Sequence, residues 1–333
     1  MSFPARWSCP GSLLIAGEYG ITEEGGFGIA VAAGPLARAA AVPAGALSVR
    51  GLWAGGRSDW SPSDGADGTP AAAAYEACRP DPTVPAAMTV DTTEFFRAGG
   101  MKTGYGSSAA AALLCCRLFS PDAPTGTVVD SAVRAHRAFQ GGRGSGYDVL
   151  ASAYGGTGRF VGGQSPSWTP IEWPRKDELE AWVVHAPKPV STGGAVARFE
   201  EWRRSDTIGS GSLLSRSDAA VDELIGLIEN GADPAAVIVR LRGLSAVSRE
   251  IGEAIGVSAV PFLPEGLSGI LTDGSRTDAA VKCLGAGNET ALIVSIRGGL
   301  APLERRALER AVRYGLASLL VIHEKGLAEE TCE

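Results

Sequence analysis

A glycine- and serine-rich loop that runs directly into an alanine-rich segment is the strongest constraint in this sequence. The loop reads Gly104-Tyr105-Gly106-Ser107-Ser108, and residues 109–118 after it are alanine, leucine, cysteine and a single arginine. That segment predicts a helix, whose first backbone amides lack partners within it and lie at its positive end. Because glycine lets the loop backbone approach a ligand closely, the sequence predicts a phosphate site here.

A second glycine-flanked motif, Gly144-Ser145-Gly146-Tyr147-Asp148, follows further along the chain. It places one carboxylate where the glycines leave the backbone open to a substrate. A phosphate site and one carboxylate are the minimum requirement for phosphoryl transfer to a hydroxyl or a phosphate. The alternative role of Asp148 is to cap a helix that begins at Val149. The two motifs do not identify the acceptor.

Composition and charge exclude several classes of protein. The chain has 333 residues, 45% hydrophobic and 20% charged, which is typical of a soluble globular protein with room for two domains. The net charge of −7 argues against nucleic acid or an anionic membrane as a main partner. No leader-like segment and no apolar run of about 18 residues occur. The six cysteines show no metal-like spacing. We therefore expect a cytoplasmic protein.

The pattern of apolar residues and turn signals predicts an α+β fold of two domains, residues 1–170 and 171–333. We place the boundary in the stretch 162–174, which is rich in Gly, Ser, Pro and Trp, and expect 54–86 to be a variable surface excursion. Apolar runs predict strands at 13–15, 29–32, 181–185 and 291–296. Helices are predicted at 109–118, at 128–140, from a Ser217 cap to Asn230-Gly231, from Asp233-Pro234 onwards, and over 308–319.

Motifs of several common enzyme classes are missing from the sequence. It contains no Walker A loop, no G-x-G-x-x-G after a strand, no H-E-x-x-H and no G-x-S-x-G. Of the three histidines, we expect His185 and His323 to have structural roles.

Taken together, three glycine motifs resemble the GHMP kinases, and among these the phosphomevalonate kinases most. The first motif is residues 10–19, PGSLLIAGEY. The second has two parts: residues 90–96 and 102–110, and residues 135–149 with Tyr154-Gly155-Gly156. The third is Gly285-Ala286-Gly287. The resemblance implies an N-terminal domain like domain 2 of ribosomal protein S5 and a ferredoxin-like C-terminal domain. It also implies that ATP and Mg²⁺ are cofactors and that the partner is a small phosphorylated or hydroxylated acceptor, with the enzyme a monomer or homodimer.

The resemblance also assigns roles to individual residues. Asp148 would take the proton of the accepting oxygen or orient it, with Ser12 and Lys102 as further catalytic positions. Ser108, or its neighbour Ser107, would lie near Mg²⁺. The nucleotide would be bound by Gly104, Gly106, Ser107, Ser108, Ala109, Gly285, Ala286 and Gly287. The acceptor would be bound by Glu18, Tyr19, Ser145, Gly146, Ser191 and Thr192.

Two positions depart from the family pattern. Ser12 occupies the place of a lysine that neutralises charge near the transferred phosphoryl, and Asn288-Glu289 replaces two glycines. Losing one charge donor costs roughly 3–4 kcal/mol of transition-state stabilisation, which slows a reaction without abolishing it. Lys102, Lys188 or an arginine can supply the missing charge. The hypotheses are therefore a phosphomevalonate kinase, a kinase for mevalonate or a sugar, and a catalytically weakened homologue that binds nucleotide or metabolite.

Overall fold

The computed structural model describes residues 5–81, 86–97, 100–142, 144–173, 177–187, 192–287 and 289–330. The strands are β1 (Ala5–Ala16), β2 (Phe27–Pro43), β3 (Ser48–Trp53), β4 (Gly56–Trp60), β5 (Ala86–Asp91), β6 (Phe96–Arg97), β7 (Met101–Lys102), β8 (Thr157–Val161), β9 (Ser167–Ile171), β10 (Leu179–His185), β11 (Ala279–Leu284), β12 (Thr290–Ile296), β13 (Ala317–Leu319) and β14 (Ala328–Glu329). The helices are α1 (Pro70–Cys78), α2 (Ser107–Phe119), α3 (Thr125–Phe139), α4 (Tyr147–Tyr154), α5 (Thr192–Ser205), α6 (Thr207–Glu229), α7 (Pro234–Ile255), α8 (Ser268–Thr272) and α9 (Pro302–Arg313).

The long strand β2 organises the larger sheet. It pairs with β1 along its length, with β8 through its first half and with β5 through its second half. The sheet order is β14-β1-β2-β5-β3-β4, and β8 and β9 extend it from β2. Two register shifts in the β1–β2 pairing, at Pro10/Ser12 and Leu14/Ala16, mark bulges. Bulges re-aim the side chains of a strand, and these two lie in the first glycine motif.

The smaller sheet is antiparallel, with the order β11-β12-β10-β13. One hydrophobic core joins it to the larger sheet, since Val183 of β10 and Leu292 of β12 belong to the same buried cluster as Leu13 and Val31. The chain then returns to its beginning, because β14 pairs with β1. The observed architecture confirms the α+β prediction, and the division near residue 170 remains a prediction.

The helix after the serine loop is the most deeply packed element near the loop. The prediction of a buried helix at 109–118 is confirmed by α2, in which Ala109, Ala112 and Leu113 are completely buried. Cys115 and Cys116 are also buried, and they pack as small apolar side chains. Because α2 is held on all sides, the loop before it has a rigid support.

Two predicted boundaries are wrong. Ser217 is no cap but a buried residue inside α6, whose cap is Asp206, accepting a hydrogen bond from the Gly209 amide. The Gly- and Ser-rich first turns of α6 have weak helix propensity, and tertiary packing overrides it. The helix predicted over 308–319 ends at Arg313, with Gly315 at φ 68°, and 317–319 form β13.

The stretch 54–86 is also more ordered than predicted. It contains β4 and α1, which Thr69 caps through the Ala72 amide at 3.2 Å. Ala71, Ala72 and Ala74 are buried in the main core. The alanines therefore bury a helix face, although the composition suggested a surface loop.

Candidate active site

The serine loop is a glycine turn that delivers the chain into the first turn of α2. Gly104 and Gly106 have φ of +82° and +73°, values that favour glycine. Gly106 is the residue before α2 and offers no side-chain cap, so the Ser107 and Ser108 amides are left for a ligand. The loop is fastened to β1, because the Ser12 amide donates to the Tyr105 carbonyl at 2.9 Å.

The loop, β1 and α4 meet around Gly106. A Cβ atom at this position would lie 3.0 Å from the Ser12 hydroxyl and 3.6 Å from Cβ of Asp148. The fold therefore brings the serine loop and the Asp148 turn together, as phosphoryl transfer requires. It also places Ser12, which lies at a bulge of β1, next to Gly106.

Asp148 lies in the first turn of α4, and its side chain is 14% exposed. Burial by itself raises the pKa of this carboxyl, but the His136 ring and the Val149 amide outweigh it and hold the pKa below its usual value. Oδ1 of Asp148 accepts from the Val149 amide at 3.0 Å and lies 3.5 Å from Nδ1 of His136. The carboxylate is therefore ionised at neutral pH and faces the cleft while it also contacts its own helix.

His136 is a residue to which sequence reasoning gave no role. It is almost completely buried on α3, and its Nε2 lies 3.1 Å from the Ser108 hydroxyl. The ring thus contacts Ser108 on one side and Asp148 on the other. The signal in the sequence was the Ala135-His136 pair in the second motif, but spacing alone does not say which way the ring faces.

One cleft of about 380 Å³ collects most of the predicted site residues. Its lining includes Glu18, Tyr19, Lys102, Gly104, Gly106, Ser107, Ser108, Ser145, Gly146, Asp148, Gly285, Ala286 and Gly287. The three glycine motifs, separated in the chain, therefore surround a single space.

Four predicted residues stand differently. Ser12 is fully buried behind the loop, and no group in the described ranges bonds its hydroxyl. Ala109 is also buried, and its amide donates to the Gly106 carbonyl. Thr192 begins α5, but its side chain lies outside the described residues, as does all of Ser191. Lys188 and Asn288 are outside them too.

A buried ion pair at the cleft wall was not predicted. Lys282 on β11 is 1% exposed and pairs with Glu18, which follows β1. The ammonium group also donates to the Cys283 carbonyl at 3.0 Å, and Ser248 contacts Glu18 at 3.4 Å. Lys282 precedes the third glycine motif, which was the only signal in the sequence. The pair joins the beginning of the chain to the smaller sheet.

Glu289 lines the cleft next to the third glycine loop. Burial lowers the pKa of the Arg97 guanidinium, and the Glu289 carboxylate opposes that shift, so the two charges attract each other. Arg97 also donates to the Ala186 carbonyl at 2.9 Å.

A second, apolar pocket of about 290 Å³ adjoins the cleft. The two share Lys102, Ser107 and Ser108 in their walls. The apolar part of the second pocket is formed by Leu52, Trp53, Phe96, Ala111, Cys115 and Phe139. A ligand with a flat apolar end and a charged end can therefore extend from one pocket into the other.

His185 and His323 were expected to have structural roles, and both contact neighbouring residues of the fold. His185 is buried against Tyr105, and burial together with the Arg97 charge lowers its pKa to about 4, so it is neutral. The His323 ring contacts the Gly34 carbonyl at 2.7 Å.

In the part of the chain that the structure describes, no group of three or more His, Cys, Asp and Glu side chains is placed to hold a metal ion. None of the helices in the same ranges has the length and apolar character needed to cross a membrane.

Solved structures with the same fold include several small-molecule kinases. A Lin0012 protein from Listeria innocua is 20% identical, with a TM-score of 0.82 over 99% of this chain and 100% of that one. Phosphomevalonate kinase of Streptococcus pneumoniae, in complex with phosphomevalonate and AMPPNP, is 16% identical, with a TM-score of 0.72 over 97% and 99%. Galactokinase of Lactococcus lactis, complexed with galactose, is 12% identical, with a TM-score of 0.69 over 99% and 96%.

No protein-family model matches the chain, and no curated protein matches it in sequence. The structural matches extend over nearly the whole chain, so the GHMP-kinase-like fold expected from the glycine motifs is confirmed. At identities of 12–20% the likeness establishes the fold and does not identify an acceptor.

Proposed function

We propose that this protein is a kinase that transfers the γ-phosphoryl group of ATP to a small acceptor. The observation that carries the proposal is the meeting of the serine loop, the Asp148 carboxylate and the Gly285-Ala286-Gly287 loop in one cleft. A helix N-terminus binds phosphate, and a carboxylate beside it can receive the acceptor proton.

The two adjoining pockets suggest how ATP binds. The triphosphate would contact the Ser107 and Ser108 amides at the start of α2, and the base would enter the apolar pocket beside Trp53 and Phe139. Lys102 belongs to both pockets and would neutralise part of the phosphate charge. The residues present fit a nucleotide, because an anion site and an apolar site meet at the same two serines.

Magnesium would be held mainly by the phosphates, with the Ser108 hydroxyl as the protein ligand. This fits the absence of a ready-made carboxylate cluster in the described residues, since Mg²⁺ often binds through substrate phosphates and few protein groups. The ion would supply charge neutralisation at the transferred group.

In the transfer step a bond forms between the acceptor oxygen and the γ-phosphorus, and the bond from that phosphorus to the β-phosphate oxygen breaks. Asp148 is ionised and faces the cleft, so it takes the proton of a hydroxyl acceptor, or orients the remaining O–H of a phosphate acceptor. The loops around it exclude water and hold both partners in line.

Phosphomevalonate is the acceptor that we propose first, because the sequence motifs and the structure of the Streptococcus pneumoniae enzyme both support it. Mevalonate and sugars are the alternatives, since galactokinase has the same fold. The buried Ser12, where the family has a lysine, favours a second candidate function, a weakened homologue that binds nucleotide without efficient turnover.

The test is ADP release, coupled to an enzymatic readout, with mevalonate, phosphomevalonate, homoserine and galactose as acceptors and Asp148→Asn as the control variant. We expect acceptor-dependent ADP release with phosphomevalonate, and its loss in the variant. Release with another acceptor alone would reassign the substrate. Binding of Mg·ATP by calorimetry with no ADP release from any acceptor would establish the weakened homologue instead.

A further inference from the structure

A buried histidine connects the two halves of the candidate site. Nε2 of His136 lies 3.1 Å from the Ser108 hydroxyl, and Nδ1 lies 3.5 Å from Oδ1 of Asp148. Ser108 belongs to the nucleotide side of the cleft and Asp148 to the acceptor side. The ring is 2% exposed and does not line the cleft, so it touches neither ligand directly.

We propose that His136 is a positioning residue that holds the Ser108 hydroxyl and the Asp148 carboxylate in a fixed relation. This inference rests on the proposed phosphoryl transfer, for which a nucleotide and an acceptor must be aligned to within a fraction of an ångström. The buried His136 ring contacts both side chains from outside the cleft, and it thereby holds them in that alignment.

The contact with a carboxylate fixes the proton on one ring nitrogen. A carboxylate only accepts hydrogen bonds, so Nδ1 must carry a proton and donate to Asp148. When Nε2 carries none, it accepts the hydrogen of Ser108, which leaves the oxygen lone pairs of that hydroxyl free to face a cation or phosphate-bound metal. The opposite tautomer would point a lone pair at the carboxylate and use up one lone pair of Ser108.

The surroundings maintain this arrangement. Phe139 stacks on the ring with a centroid separation of 6.5 Å, and α3 and α4 pack against each other. Arg137, the next residue of α3, donates to the Ser145 and Gly144 carbonyls at 2.8 and 3.0 Å, which fastens the glycine turn before Asp148. The ring therefore has little freedom to turn away from its two partners.

The first experiment determines the tautomer without measuring turnover. Nuclear magnetic resonance of the full chain with ¹⁵N-labelled histidine distinguishes a protonated Nδ1 from a protonated Nε2, and His136→Gln assigns the signal among three histidines. We expect a proton on Nδ1. A His136 that is protonated at Nε2 alone would overturn the proposal.

The second experiment separates the two contacts with a matched pair of variants. The amide of His136→Asn reaches the place of Nδ1 and retains the contact with Asp148, whereas that of His136→Gln reaches the place of Nε2 and retains the contact with Ser108. We expect His136→Asn to weaken Mg·ATP binding about tenfold, the effect of one lost hydrogen bond, while kcat changes little. We expect His136→Gln to lower kcat at least tenfold, with Mg·ATP affinity nearly unchanged.

The control is His323→Gln, which removes a histidine contact with the Gly34 carbonyl; neither of these two residues lines the cleft. Thermal unfolding checks that each variant is folded. If both His136 variants change kcat and Mg·ATP affinity in the same proportion, His136 acts only through stability and the proposal is wrong. If the wild type transfers phosphoryl to none of the acceptors, the proposed function fails, and the tautomer and Mg·ATP binding still decide the role of His136.

Discussion

At the scale of single residues, the site depends on a few buried polar groups whose partners lie far apart in the chain. Asp148 illustrates this, because its carboxylate contacts both its own helix and the ring of His136. The predicted capping role assumed a helix that begins at Val149, but α4 begins at Tyr147 after Gly146, and Asp148 binds the Val149 amide from within the first turn. Mutation separates this contact from a catalytic role, since losing a first-turn contact affects stability and losing a base affects turnover.

Removal of the Asp148 charge should reduce turnover far more than binding. A positioned base contributes roughly 10²–10⁴-fold, so we expect Asp148→Asn to lower kcat by about that factor with little change in KM. The cost in stability should be about 1 kcal/mol, the value of a helix cap. Steady-state kinetics and urea unfolding measure the two effects. Asp130→Asn, an exposed change on α3, is the control. A fully active but destabilised Asp148→Asn enzyme would leave only the capping role.

A lysine at position 12 should impair the proposed activity, although the GHMP kinases that the sequence resembles have one there. Ser12 is completely buried against Gly106 and beside Asp148, so an ammonium group would be desolvated and would pair with the proposed base. We expect Ser12→Lys to lower kcat. Ser12→Ala removes only an unbonded hydroxyl and should leave kcat unchanged, with stability equal or slightly higher. A large rise in kcat for Ser12→Lys in the same assay would instead identify a site that merely lacks its cation.

At the scale of elements, function depends on where helices begin. The starts of α2 and α4 are both preceded by glycines with positive φ, Gly106 at +73° and Gly146 at +90°. The first leaves backbone amides available at the cleft, and the second presents Asp148 to the same cleft. The bulges in β1 place Ser12 next to the starts of α2 and α4, so this strand and the two helices build the same part of the cleft.

A side chain at Gly106 should disrupt nucleotide binding. Its Cβ would lie 3.0 Å from the Ser12 hydroxyl, and its φ of +73° strains any branched residue. We expect Gly106→Val to lower Mg·ATP affinity at least tenfold, since the loop must shift by more than a hydrogen bond tolerates. The control is Gly55→Val, which has φ +99° and nothing within 4 Å. Calorimetry with equal Mg·ATP affinity for Gly106→Val and wild type would refute the phosphate site.

At the scale of the whole molecule, the two sheets are joined by a continuous core and by one buried ion pair. Lys282 and Glu18 are 264 residues apart in the chain, and both are almost completely buried. The return of β14 to β1 adds a second link between the chain ends. The walls of the cleft are therefore held together by contacts between residues that lie far apart in the chain.

Breaking this ion pair should destabilise the protein strongly. Lys282→Met leaves the Glu18 carboxylate buried without its cation, and we expect a loss of about 3–5 kcal/mol in the free energy of unfolding. Removing both charges, with Glu18→Gln and Lys282→Met, should recover most of that loss. The control is Arg216→Met, which breaks an exposed pair with Glu250 and should cost less than about 1 kcal/mol. Urea unfolding of the four proteins measures the difference. If Lys282→Met and Arg216→Met lower the free energy of unfolding equally, the stabilising role of the buried pair is wrong.

The parts of the protein that could be predicted are those in which the residues of one short segment favour a particular local structure. The serine loop and α2 follow from glycine and alanine propensities, and the start of α7 follows from Asp233-Pro234. The weaker predictions have two different causes. The Gly- and Ser-rich first turns of α6 have weak helix propensity, and packing stabilises them. The alanines of α1 do favour a helix locally, but the Gly, Pro and Asp residues around them suggested a surface excursion.

By itself, the sequence determined that the chain is an α+β protein with a helix N-terminus suited to phosphate and one carboxylate in a glycine turn. Local backbone propensity is enough for that, since it depends on neighbouring residues. Only the tertiary structure decided that His136 lies between Ser108 and Asp148, that Ser12 is buried behind the loop, and that Lys282 reaches Glu18. These contacts depend on strand register and helix packing, which set the direction of each side chain across long separations in the chain.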